Sequence, residues 1–127
     1  MDRRELVRWL VLREISDDYE NVDQVILPNV AKGAVKCGLS IERSEIVDAL
    51  AGLIEDGLAK AYLLSTREPF STELQGMPPL DVIEEYFETY FYITKKGKNL
   101  LLSDATRSLV DDEGKLLPDW YLDRLQS

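Results

Sequence analysis

The stretch Ser40–Leu64, SIERSEIVDALAGLIEDGLAKAYLL, constrains this chain more than any other. Ile46, Val47, Leu50, Leu53 and Ile54 recur at helical spacing and make one apolar stripe. Ser40 is placed to cap the first turn, and Glu42 and Glu45 sit at the positive end of the helix dipole. Gly57 suits the left-handed residue that ends such a helix. From Leu58 to Leu64 the pattern changes to that of a strand, with Lys60 and Tyr62 facing outward. By itself this is the core helix of a small α+β domain.

The flanking segments extend it. Asp2–Ile15 reads as a helix with a broad apolar face (Leu6, Trp9, Leu10, Ile15) and a basic side (Arg3, Arg4, Arg8, Arg13), which reads as an ordinary solvated face, with a surface for phosphate or an acidic partner as the alternative. Ser16–Asp23 is an acidic, turn-forming connection that lacks the glycine and closing glutamate of a calcium loop. Pro28 belongs in a first turn, which predicts a helix over 28–37 after an extended lead-in at Val25–Leu27. Gly38-Leu39-Ser40 then links it to the anchor helix as a helix-turn-helix unit. Ser65–Pro79, with three prolines and a glycine, reads as a long loop. Alternation in Glu88–Ile93 predicts a second strand with Tyr90 and Tyr92 on one face and Phe91 and Ile93 on the other. Tyr86 and Phe87 add to this aromatic group, and Tyr86, Tyr90 and Tyr92 form a candidate interaction surface.

Thr94 is placed to cap a helix over about 95–103. Lys95, Lys96 and Lys98 crowd its first turn, the unfavourable end of the dipole for cations, and so suggest an anionic or carboxylate partner. Residues 104–127 are acidic and interrupted by Gly114 and Pro118. Pro118 can open a short helix in which Trp120, Tyr121, Leu122 and Leu125 seek cover, against the domain or in a homodimer.

The phrase Tyr92-Ile93-Thr94-Lys95-Lys96-Gly97-Lys98, following Gly57-Leu58, resembles the winged-helix domains of bacterial regulators of the MarR and PadR kinds. In those a Tyr-x-Leu-Thr-x-x-Gly phrase closes the wing. The resemblance covers about residues 3–103. It implies an α+β winged helix-turn-helix with a three-helix core and a two- or three-stranded antiparallel wing. The wing is enlarged at about 65–87, and 104–127 form a C-terminal extension with extra helices. It makes Ile41–Asp56 the recognition helix and implies DNA binding, often as a dimer.

Charge opposes that role. The net charge is −9, which repels polyanions, both nucleic acid and anionic membrane. Recognition helices reach bases with Arg, Lys, Asn or Gln, yet residues 41–56 carry Glu42, Glu45, Asp48, Glu55 and Asp56 against Arg43 alone. Arg43, Ser44, Asp48, Lys95, Lys96 and Lys98 are the candidate contacts to a nucleic acid or partner. With no histidine and one cysteine, Cys37, histidine-based nucleophilic triads, most zinc sites and an internal disulfide are excluded. Cys37 reads as a small buried hydrophobe. No apolar run approaches the roughly 20 residues of a membrane span. The sequence thus predicts a cytoplasmic, non-enzymatic protein-contact module without cofactor or metal. A DNA-binding regulator is the alternative.

Overall fold

The computed structural model describes residues 3–35, 39–78 and 89–101. These form an α+β unit of four α-helices, one π-helical turn and a three-stranded antiparallel sheet. Cys37, the segment Leu80–Phe87 with Tyr86, and the extension 104–127 lie outside the described residues.

Helix α1 (Arg3–Glu14) is the centre of the core. Leu6, Val7, Trp9, Leu10, Val11 and Leu12 are all buried, so the helix is covered nearly all round instead of along one stripe. Two of the four arginines on its expected basic face, Arg3 and Arg8, are paired. Arg3 pairs with Glu45 at 3.1 Å and also donates to the Ser40 carbonyl, and Arg8 pairs with Asp56.

The lead-in at 25–27 is helical, not extended. Asn21 caps it by accepting from the Gln24 amide at 2.7 Å. A π turn spans Val22–Ile26, with the Ile26 amide donating to the Asn21 carbonyl at 3.0 Å, and runs directly into α2 (Leu27–Val35). In a regular helix the Pro28 ring collides with the carbonyl four residues back. The wider π turn ahead of it gives that ring room.

Helix α3 (Arg43–Glu55) buries Ile46, Ala49, Leu50 and Leu53 against α1. Its N-cap is Glu42, without a side-chain cap bond, and not Ser40. Its C-terminus is a Schellman closure. The Leu58 amide donates to the Leu53 carbonyl at 2.8 Å and the Gly57 amide to Ile54 at 3.0 Å. Gly57 has φ of +75°, the backbone region where a Cβ is penalised.

Strand β1 (Ala59–Leu64) lies between β2 (Ser71–Glu73) and β3 (Thr89–Ile93). Strand β2 falls where the sequence predicted only loop. All three of its residues are exposed, so it carries no burial alternation. It forms by register alone, Tyr62 opposite Glu73 and Leu64 opposite Ser71. On the core face, small residues of β1 oppose large ones of β3: Ala59 faces Ile93 and Ala61 faces Phe91. Phe91 is fully buried. Glu20 extends the ladder on the far edge of β3, exchanging both backbone bonds with Phe91 (3.0 and 2.8 Å).

Thr94 caps α4 (Lys95–Leu101) as expected. Its hydroxyl oxygen accepts from the Gly97 amide at 3.1 Å, and the hydroxyl donates to the Gly57 carbonyl at 2.7 Å. This threonine therefore ties the start of α4 to the end of α3. No described helix is long and apolar enough to cross a membrane.

Candidate partner-binding surface

The outward line of α3 is Ser44, Asp48, Ala51 and Glu55, spaced i, i+4, i+7 and i+11. Ser44, Asp48 and Glu55 are exposed. Asp48 and Glu55 make no ion pair among the described residues. The line carries no cation.

Arg43, the helix's only cation, turns the other way. Its Nε donates to Asp23 Oδ1 at 2.7 Å and its Nη2 to Oδ2 at 3.2 Å, a two-pronged pair in which both side chains are mostly buried. Two-pronged guanidinium–carboxylate pairs are directional and strong. Arg43 therefore anchors α3 to the π turn and is not presented outward as the sequence suggested.

The lysines of α4 divide similarly. Lys96 Nζ donates to the Asp56 carbonyl at 2.9 Å, at the negative end of the α3 dipole. Lys98 Nζ donates to the Tyr92 hydroxyl at 3.2 Å and sits 5.3 Å from that ring's centroid. These partners account for two cations that look misplaced from their own helix alone. Lys95 is exposed with no ion pair among the described residues.

Two shallow clefts of about 310 and 370 Å³ lie between α1 and α3 and share Arg4 and Asp48. Around the larger one stand Glu5, Asp48, Glu55 and Asp56 against Arg4 and Arg8, and Arg8 is already paired with Asp56. The surface here is acidic.

The outer sheet face is aromatic. Tyr62 lies opposite Tyr90, and Lys60 opposite Tyr92. Tyr19 reaches over this face, stacked on Tyr92 at 4.9 Å and edge-on to Tyr62 at 5.0 Å. Burial raises the Tyr62 pKa, with Tyr19 and Glu73 adding to the shift. Burial also raises that of Glu20, followed by the charges of Asp18, Asp17 and Glu14. Lys60 is raised by its hydrogen bond to Glu73, reached at 2.7 Å. Tyr90 and Tyr92 thus share one face as expected. Tyr19 was not anticipated there, because a lone aromatic in an acidic turn carries no periodicity. Nor was Asp23 as the partner of Arg43, twenty residues away in sequence.

Among the described residues no group of three or more Cys, Asp or Glu side chains is placed to hold a metal ion. No family model, no curated protein and no solved structure matches this chain.

Proposed function

We propose that this protein is a non-enzymatic winged-helix module whose third helix meets a cationic segment of a protein partner. The order of elements supports the winged-helix reading: three helices, the last closed by Gly57, followed by an antiparallel hairpin and a Thr94-capped helix. One observation carries the functional reading. The exposed line of α3 offers Asp48 and Glu55, neither in an ion pair among the described residues and outnumbering with Glu5 and Asp56 the Arg4 and Arg8 of the adjoining cleft, while Arg43 is held inward by Asp23. Two carboxylates 7 positions apart on one helix face suit lysines or arginines spaced along a partner helix. The same carboxylates repel a phosphate backbone.

The test is fluorescence anisotropy with two probes, a labelled Lys/Arg-rich helical peptide and a labelled duplex DNA, at about 50 mM salt, where phosphate contacts are strong. The peptide is expected to bind in a salt-sensitive manner and to be lost in the D48K/E55K variant, with no DNA retained. DNA retention that weakens with salt and vanishes on K95E/K98E would replace this reading with that of a DNA-binding regulator.

A further inference from the structure

Strand β2 is an open edge of the sheet. It pairs with β1 on one side, and Ser71, Thr72 and Glu73 are all exposed. In an antiparallel ladder successive residues send their backbone groups to alternate sides. The Leu74 amide donates to the Ala61 carbonyl at 2.9 Å, and the Ser65 amide to the Phe70 carbonyl at 2.9 Å. Phe70, Thr72 and Leu74 therefore turn their backbone groups toward β1. Ser71 and Glu73 direct N–H and C=O away from the sheet, where no described residue meets them. Side chains alternate as well. Phe70, Thr72 and Leu74 share the side of Leu63, which lies opposite Thr72. Phe70 is 58% exposed and Leu63 39%, so this side of the edge is apolar and uncovered.

We propose that β2 pairs antiparallel with β2 of a second copy, about a two-fold axis at Thr72, joining the two sheets into one. This register sets Ser71 of each copy opposite Glu73 of the other, so every outward group on the strand meets its complement. It also sets Thr72 against Thr72 and Phe70 against Leu74, an apolar and hydroxyl row on the Leu63 side. Shifting the axis to Ser71 sets Glu73 against Pro69, which has no N–H. Shifting it to Glu73 sets two carboxylates directly opposite. The chain's net charge of −9 does not reach this edge. Residues 59–78 carry Lys60 and Arg67 against Glu68 and Glu73, so the hairpin is neutral, and charge beyond about 8 Å is screened at physiological salt. A neutral edge selects neither a cationic nor an acidic peptide, whereas a second copy presents the same open groups in matching order. The contact is short and belongs with weak, transient interfaces. It is also closed, because each copy uses up the other's edge.

Single cysteines introduced on the full chain in a C37A background, which removes its only thiol, test the register. Across the axis, T72C places two cysteines at the Cα separation of about 4.5 Å of a non-hydrogen-bonded pair, within reach of a disulfide. S71C and E73C meet their own counterparts only diagonally, at roughly 7–8 Å. Mild oxidation at about 1 mM chain is expected to link T72C at least about fivefold faster than S71C or E73C, whose separation is too long to bridge. Sedimentation of the unaltered, reduced protein is expected to shift toward a dimer as concentration rises to about 1 mM. T72K sets two ammonium groups face to face at an exposed position and is expected to stay monomeric with an unchanged melt. The proposal is overturned if T72C links no faster than S71C and E73C, or if the unaltered protein stays monomeric throughout. A dimer that T72K leaves intact overturns it equally, since the copies would then meet through another surface.

Discussion

Gly97 gives the sharpest test of how α4 is seated. A Cβ built there would stand 2.4 Å from the Leu58 carbonyl oxygen and 2.6 Å from Ile93 Cγ1. Carbon–oxygen contacts normally stop at about 3.3 Å, so G97A requires α4 to lift by roughly 1 Å. The obstacle is backbone, which no rotamer change removes. Lifting α4 also stretches the Thr94 amide bond to Leu58 (3.0 Å) and the Lys96 bond to Asp56 (2.9 Å). Overpacking of this kind costs about 1–3 kcal/mol, and a weakened hydrogen bond about 1 more. The better helix propensity of alanine returns up to about 1 kcal/mol. The net is about 2 kcal/mol of destabilisation, or a Tm roughly 10 °C lower for a domain of this size. Thermal melts followed by circular dichroism measure it, with G52A as the internal control. At Gly52 the nearest atom is Arg8 Cζ, 3.4 Å away at the end of a flexible side chain. G52A should therefore be neutral or stabilising by up to about 1 kcal/mol, since it replaces a mid-helix glycine. A G97A melt within about 2 °C of the unaltered protein, well inside the shift expected for 1 kcal/mol, would refute the close approach of α4 to Leu58.

Two further predictions address the electrostatics. R43A strands a mostly buried Asp23 carboxylate and is expected to cost about 2 kcal/mol in urea unfolding. The D23A/R43A double variant should cost less than the two singles summed, and additivity would show that the pair is not coupled. The Glu20 pKa is raised by burial and by neighbouring acids, so the folded state holds that proton more tightly than the unfolded chain does. The stability it contributes is complete below the ordinary glutamate pKa of 4.5 and is lost as pH climbs through the raised value. E20Q should melt higher than the unaltered protein at neutral pH and lose that advantage on acidification below 4.5; a pH-independent gap would exclude this cause.

Much of the scaffold was legible in single segments. The apolar spacing from Ile46 to Ile54 and the glycine at 57 marked α3 and its end. Alternation through 89–93 assigned Phe91 and Ile93 to one face and Tyr90 and Tyr92 to the other, as the burial shows. Thr94 was recognisable as a cap because capping depends on residues only three apart. Local errors arose where two local preferences competed. Pro28 argued for an extended approach, and Asn21 with a π turn accommodated it within a helix.

The candidate surface was less legible, for a different reason. Whether Arg43 points toward a partner or toward Asp23 depends on how α3 lies against the π turn. Lys96 and Lys98 look adverse at the start of their own helix, yet the end of α3 and the ring of Tyr92 satisfy them. Strand β2 exists only through its register with β1, and Tyr19 joins the tyrosines only because Glu20 pairs with Phe91. Periodicity and caps act over one or two turns, so the sequence by itself determined the helices, the main strands, the inward faces and the acidic balance. Tertiary structure decided which charges cancel and which remain exposed, because ion pairs and ring contacts form between side chains that only the superposition of elements brings within a few ångströms.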